Sequence, residues 1–168
     1  MVGCWTMEGR GKKRGKIVLA EGTFDLLHYG HIHYLTNAKR AGGKNAKLIV
    51  IVARDKTVER LKGRKPVLPE DQRRAIVESL KVVDEAILGY EDMDMYKVIE
   101  KIKPDVIALG YDKINLEKEL KRYVKERGLN IEIVRVSKFD SIEPNSSSSI
   151  RKKIIEAYQS QMSRDKAP

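Results

Sequence analysis

Two histidines, His28 and His31, lie where an apolar strand gives way to a helix. The short apolar run at 17–20 is typical of a buried strand, and apolar residues recur at helical spacing from His31 onward. Ligands bind at the carboxyl ends of the strands in open α/β sheets, and a helix N-terminus there offers N–H groups to a phosphate. Gly30 leaves room for that phosphate to approach the backbone. The spacing therefore predicts an anion site that both imidazoles face; the alternative is a pair of capping or core histidines.

Two polar residues beside this pair are given other roles. His33 lies two positions beyond His31 and points elsewhere on the helix, so it is interpreted as a surface or packing residue. Asp25 is interpreted as orienting the turn after the strand or a nearby cation, and a direct metal ligand is the alternative.

The elements that must position these groups follow from the apolar pattern. Strands are predicted at 17–20, 47–53, 86–88, 105–109 and 131–136. Helices are predicted at 31–42, 55–61, 70–80, 95–102, 116–127 and 146–158. Alternation of strands with helices favours right-handed crossovers and a parallel sheet covered on both faces. The predicted fold is therefore α/β: a Rossmann-like, doubly wound parallel sheet of about five strands in a three-layer αβα arrangement.

Length and composition are typical of one globular domain. The chain has 168 residues, of which 41% are hydrophobic, and no apolar run approaches a membrane span. The start of the chain lacks the apolar region of a signal peptide, and Cys4 has no partner for an internal disulfide, so a cytoplasmic location is expected. We expect a flexible basic tail at 1–15, the folded domain at 16–158 and a fraying tail at 159–168.

The net charge of +10 admits two kinds of partner. A basic chain suits nucleic acid, and it equally suits a polyanionic small molecule such as a nucleoside triphosphate. Aromatic residues are only 6% of the chain, whereas RNA-binding surfaces interleave cations with exposed aromatics. An RNA-binding module therefore stays as the remote alternative, and no nucleic acid is expected.

Basic residues next to the predicted ligand edge are candidates for phosphate binding. Lys62, Arg64 and Lys65 surround Gly63 in a loop that is either a solvated basic loop or a clamp for phosphates. Arg73 lies on the apolar face of the following helix, where a guanidinium must find an anion or reach solvent. Arg74, one position further round, is interpreted as solvated.

Two later segments extend the same pattern. The four serines at 146–149 precede a helix that carries Arg151, and a serine run there builds either a linker or a helix cap with hydroxyls and N–H groups for an anion. Asp112 ends a Gly-Tyr-Asp turn after the fourth strand, and it is interpreted either as a turn cap or as a nucleotide ligand.

One segment resembles the signature of the HxGH nucleotidyltransferases, in particular their cytidylyltransferase-like branch: Gly-Thr-Phe-Asp-Leu-Leu-His-Tyr-Gly-His at 22–31. A second segment, at 145–151, reads Asn-Ser-Ser-Ser-Ser-Ile-Arg. It resembles the later signature of that superfamily, which is often Ile-Ser-x-Thr-x-Ile-Arg. Serine replaces the common threonine and asparagine the usual isoleucine, and both replacements keep a workable cap. The resemblance covers about 17–155, and the branch includes glycerol-3-phosphate cytidylyltransferases and archaeal FAD synthases.

The resemblance implies a set of site residues. The implied catalytic residues are His28, His31, Lys62 and Arg73. The implied nucleotide-binding residues are Thr23, Phe24, His28, Tyr29, Gly30, His31, Asp112, Ser147, Ser148 and Arg151. The implied phosphate clamp is Lys56, Arg64 and Lys65.

The substrates are also implied by resemblance. Segments between 49 and 89, among them Lys-Gly-Arg-Lys-Pro and Val-Asp-Glu-Ala-Ile-Leu-Gly, look like archaeal FAD synthases, which implies ATP and FMN as substrates and FAD and pyrophosphate as products. Family members often pair, which implies a homodimer. The alternative is a CTP-dependent cytidylyltransferase acting on glycerol 3-phosphate or another phospho-alcohol. Acidic residues do not cluster at ligand spacing, so no protein metal site is predicted, and Mg²⁺ or another divalent cation is expected to arrive with ATP.

Overall fold

The sheet has the predicted number and direction of strands. The computed structural model describes residues 14–91, 94–139 and 143–165; the predicted basic tail, apart from Arg14 and Gly15, lies outside them. Five strands run parallel in the order β3-β2-β1-β4-β5. Their bounds are β1 Ile17–Gly22, β2 Lys47–Val52, β3 Glu85–Leu88, β4 Val106–Leu109 and β5 Glu132–Arg135.

Within the described ranges, six helices accompany these strands, and their ends lie within about two residues of prediction except the end of α6, which lies seven residues further along. Their bounds are α1 Tyr29–Ala41, α2 Asp55–Lys62, α3 Glu70–Glu78, α4 Met95–Ile102, α5 Ile114–Glu126 and α6 Ser147–Asp165. Helix α1 begins before His31 because His28 is its N-cap, with extended backbone angles. Helix α6 continues through 159–165, where fraying was expected; that segment holds no glycine or proline to end it. No helix among the described ranges is long and apolar enough to span a bilayer.

The core lies on both faces of the sheet, as a three-layer fold requires. Successive strand residues point to opposite faces, so Val18 and Ala20 pack with Leu35 of α1 and Val77 of α3. Leu19, between them, packs in a second cluster with Val98, Ile99 and Leu120, which α4 and α5 contribute.

A crevice opens at the carboxyl end of the sheet between β1 and β4. These strands are neighbours, but the helices that follow them, α1 and α5, cover opposite faces. The connections after β1 and β4 therefore diverge, which is the arrangement that binds ligands in doubly wound sheets.

Candidate active site

A cavity of about 390 Å³ occupies this crevice. Its walls come from the loop after β1, the start of α1, the end of α2, the loop after β4 and the start of α6. Segments from both ends of the chain therefore meet at one site.

The two histidines pack on each other at the start of α1. Their ring centroids are 3.8 Å apart. The backbone N–H of His28 donates to Nδ1 of His31 over 3.3 Å. Because Nδ1 of His31 accepts, its other ring nitrogen carries the hydrogen and is available as a donor. Nδ1 of His28 is buried and has no hydrogen-bond partner among the described residues.

Burial keeps both imidazoles uncharged near neutral pH. It lowers the pKa of His28. The pKa of His31 falls to about 3, first because of burial and then because His28 and Lys62 disfavour a second positive charge. Protonation of either imidazole on phosphate binding must therefore overcome this shift.

Gly30 is required for packing. A Cβ atom there would lie 2.9 Å from the His28 ring and 3.0 Å from the backbone oxygen of Asn145. The glycine thus lets the segment before α6 approach the first turn of α1. The sequence suggested that Gly30 leaves room for a phosphate. In the structure, protein groups occupy the space beside it instead.

Phe24 packs against His31, one of the two histidines. It is buried, its backbone is left-handed with φ of 51°, and its ring centroid is 5.3 Å from that of His31. Gly22 leaves the space for this ring, since a Cβ there would lie 2.8 Å from it. A left-handed phenylalanine costs conformational energy and is held only by such surroundings.

Asp25 joins three segments around the cavity. Its buried carboxylate accepts hydrogen bonds from the backbone N–H groups of Val67 and Leu68, at 3.0 and 3.1 Å. Its backbone oxygen accepts from the Ser147 hydroxyl, and Arg151 lies 3.7 Å from the carboxylate. This agrees with an orienting role, because both carboxylate oxygens already have partners within the protein.

Cations approach the cavity from several walls. Lys62 Nζ donates to the Thr23 hydroxyl over 3.0 Å, and Arg64, Lys113 and Arg151 also line the cavity. Burial lowers the pKa of Lys62, and the charges of Arg64 and Lys113 lower it further. Like charges that converge in this way form a strong site for an anion.

The serine run is a helix cap that faces the cavity. The Ser146 hydroxyl accepts from the N–H of Ser149, and the Ser149 hydroxyl accepts from the N–H of Ser146, at 3.1 and 3.2 Å. Ser147 and Ser148 line the cavity at the N-terminus of α6. The cap therefore directs the positive end of a long helix toward a bound anion.

Comparison with known proteins identifies the family to which this arrangement belongs. The family model described as cytidylyltransferase-like matches residues 19–153. The chain belongs to the cytidylyltransferase-like family. Among its curated relatives, the FAD synthase of Thermoplasma volcanium is 50% identical over 83% of this chain and 94% of its own length. The FAD synthase of Methanothermus fervidus is 52% identical over 81% of this chain and 92% of its own.

A solved structure supports the same assignment of fold. The crystal structure of a protein from Thermoplasma volcanium, described as a lipopolysaccharide core biosynthesis protein, superimposes with a TM-score of 0.67 at 46% identity. The match covers 74% of this chain and 98% of that one. This cytidylyltransferase-like chain therefore has the fold that its sequence pattern predicts.

The structure brings most of the predicted site residues to the cavity. Those lining it are Thr23, Phe24, His28, Gly30, His31, Lys62, Arg64, Asp112, Ser147, Ser148 and Arg151. His33 lies outside this lining and packs its ring on Phe139 at 5.3 Å.

Four predicted site residues lie outside the lining, and three of them are exposed. Tyr29 is 62% exposed and packs its ring against Phe139 at 4.8 Å, because its position on the first turn of α1 faces away from the cavity. Lys56, on the exposed face of α2, lies 3.5 Å from Glu91. Lys65 is exposed beyond the turn at Gly63, so the cavity wall receives Lys62 and Arg64 but not Lys65.

Arg73 is the largest correction. Its side chain is fully buried, and its guanidinium donates to the backbone oxygens of Leu68, Thr23 and Ala53 and to the Asp55 carboxylate, at 2.5–2.9 Å. It does not line the cavity. The arginine on an apolar face did require acceptors, as predicted, but backbone carbonyls and a carboxylate supply them instead of a phosphate.

Several cavity residues were missed from the sequence. Glu21, Tyr34, Lys113, Lys138 and Phe139 all line the cavity. Glu21 and Lys113 carried a usable signal, because each follows closely on the apolar core of a central strand. Tyr34 did not, because on α1 it follows the pattern of a core residue, and its hydroxyl donates to the backbone oxygen of Ala108 over 2.8 Å.

Proposed function

We propose that this protein is a FAD synthase that transfers AMP from ATP to FMN and releases pyrophosphate. The observation that carries the proposal is the meeting of the histidine pair and the serine-capped start of α6 in one cation-lined cavity. Relatives named FAD synthase match at about half identity over nearly their whole length, which favours this reaction among those of the family.

The cavity suits attack by one phosphate on another. An oxygen of the FMN phosphate forms a bond to the α-phosphorus of ATP, and the bond from that phosphorus to the bridging oxygen breaks as pyrophosphate leaves. The attacking oxygen is already ionised near neutral pH, so no protein nucleophile is needed. The protein contributes charge neutralisation and alignment, which are the main sources of rate in phosphoryl chemistry.

Each side chain has a role that follows from its place. His28 and His31 donate hydrogen bonds to the triphosphate and stabilise the charge that develops on it. Lys62 and Arg64 neutralise the leaving pyrophosphate, while Arg151 and the N-terminus of α6 bind phosphate oxygens on the opposite wall. Asp112, in the turn after β4, accepts a hydrogen bond from the nucleotide in this proposal.

A divalent cation is proposed to arrive with ATP. Within the described ranges, no three His, Cys, Asp or Glu side chains gather where they could hold a metal ion. Mg²⁺ takes most of its ligands from phosphate oxygens and water, so it suits a site of this kind.

The test is a direct assay of product with paired nucleotides. The protein is incubated with Mg²⁺ and FMN plus either ATP or CTP, and FAD is detected by chromatography; a third reaction pairs CTP with glycerol 3-phosphate. FAD is expected only with ATP. A product formed only from CTP and the phospho-alcohol would favour the cytidylyltransferase, the second candidate, to which the name of the family model points.

Two variants connect the assay to the site. His28→Ala and His31→Ala are each expected to lower kcat by ~10²–10³, the usual cost of losing one donor to a developing charge. Lys44→Ala, in an exposed loop away from the cavity, is the control and is expected to keep full activity. Full activity in both histidine variants would contradict the proposed site.

A homodimer is also proposed. Ile154, Ile155, Tyr158 and Met162 form an exposed apolar stripe along α6, with exposures of 41–63%. An apolar stripe of this spacing is typical of a helix that packs on a partner, and a second copy of the chain supplies an identical stripe. The cytoplasmic location stays a prediction from the sequence.

A further inference from the structure

An ion pair crosses the floor of the cavity. Glu21, near the end of β1, lies with Oε1 3.0 Å from Nζ of Lys113, the N-cap of α5. The side chains are 13% and 35% exposed. The pair therefore joins the two strands between which the crevice opens.

The Glu21 carboxylate is mostly buried within a cavity that attracts anions. Glu21 Oε1 is buried and lacks a well-directed hydrogen bond among the described residues, although Lys113 is close. A carboxylate of this kind repels phosphate unless a cation stands between the two. Lys113 is that cation.

Lys113 also faces a second lysine. Its charge is one of those that lower the pKa of Lys62, which reaches the cavity from α2. Burial lowers the pKa of Lys113 itself, but the neighbouring carboxylates of Glu21 and Asp112 raise it more, so its net shift is upward and it stays charged. Two ammonium groups from opposite walls thus converge on one space.

We propose that Lys113 binds the polyphosphate of the nucleotide and that Glu21 positions it by holding its ammonium at the crevice floor. This assignment rests on the proposed function for the identity of the nucleotide. Lys113 would then neutralise charge on the side of the triphosphate opposite Lys62, and the bound phosphate would compete with Glu21 for its ammonium.

The proposal makes opposite predictions for the two partners. Lys113→Gln removes a charged donor, so inorganic tripolyphosphate with Mg²⁺ is expected to bind about 10- to 100-fold more weakly by titration calorimetry. Glu21→Gln keeps an amide oxygen that can still hold the Lys113 ammonium but removes the competing negative charge, so the same probe is expected to bind more tightly than to the wild type. General damage to the fold would weaken binding in both variants.

Matched controls complete the design. Lys118→Gln removes the same charge from the exposed side of α5 and is expected to leave binding unchanged. Lys113→Arg keeps the charge and is expected to recover most of the affinity. Thermal unfolding of each variant checks that it is folded.

Two results would overturn the proposal. The first is that Lys113→Gln binds tripolyphosphate as tightly as the wild type. The other is weaker binding of ATP, but not of tripolyphosphate, in that variant, which would move the contact to the nucleoside. Because the probe is a binding ligand, the outcome is independent of whether the wild type forms FAD.

Discussion

At the scale of single residues, His28 and His31 show how burial sets the charge state of the proposed phosphate site. Their rings are in contact, and burial favours the uncharged form of each. If both side chains were imidazolium before substrate bound, their positive charges would repel each other at this short distance. Uncharged imidazoles can still donate hydrogen bonds, and a bound polyanion would favour the charged form at the moment it is useful.

This burial makes stability depend on pH. The unfolded chain protonates histidine near pH 6.5, whereas the pKa of His31 in the fold is about 3. Between these values the unfolded state binds more protons, so the free energy of unfolding falls as pH falls, by up to about 1.4 kcal/mol per pH unit for one proton. His31→Asn, which keeps an acceptor for the N–H of His28, is expected to flatten this dependence between pH 7 and 5 in urea unfolding. Equal slopes in the two proteins would contradict the assignment.

Residue types alone located most of the histidine site but not all of its ligands. The pairing of His28 with His31 was predictable because both lie within one turn of a helix. The pairing of Glu21 with Lys113 was not, because it joins positions far apart in the chain and depends on the order of β1 and β4 in the sheet. A sequence pattern without an alignment does not specify that order.

At the scale of elements, Arg73 fastens α3 to the loops that follow β1 and β2. Its hydrogen bonds reach Thr23 after β1, Ala53 after β2 and Asp55 in α2. The sequence showed correctly that a buried guanidinium needs acceptors. It did not show which acceptors, because backbone oxygens of distant loops leave no trace in residue identity.

Replacement of Arg73 distinguishes a structural role from the phosphate-binding role that the sequence predicted. Arg73→Leu is expected to lower the free energy of unfolding by about 3–5 kcal/mol, because it leaves several backbone oxygens and the partly exposed Asp55 carboxylate without their donor. The neighbouring Arg74 pairs with Glu78 on the surface, so Arg74→Leu is expected to cost less than about 1 kcal/mol. Urea unfolding measures both. A stable but inactive Arg73→Leu would restore the phosphate-binding role predicted from the sequence.

The ends of the strands and helices show which boundaries local sequence patterns can predict. Strand positions and the start of α2 were predicted closely, because apolar runs and turn residues bound them. The start of α1 was placed too late, because histidine is an uncommon N-cap. The end of α6 was placed too early, because a loss of apolar residues was interpreted as the end of the helix.

At the scale of the whole molecule, α6 extends well beyond the contacts that anchor its start. It has 19 residues, about 28 Å at 1.5 Å per residue, and every described side chain from Lys152 to Arg164 is exposed. An isolated helix as short as the exposed segment 152–164 is marginal in water, so packing on a partner would stabilise it.

The proposed dimer is tested on this helix. Light scattering after gel filtration is expected to give the mass of two chains for the wild type and of one chain for Ile155→Glu, since a buried carboxylate without a partner is costly. Ser160→Glu adds the same charge on the opposite side of α6 and is expected to stay dimeric. A wild type that is monomeric at high concentration would contradict the assignment of the apolar stripe.

The contact of Ser147 with the backbone oxygen of Asp25 joins segments 122 positions apart. If the proposed polyphosphate binds there, it acts as a removable cross-link between α6 and the loop after β1. Detachment of α6 would then require that the ligand leave first, so nucleotide concentration would set how readily proteases reach this last helix.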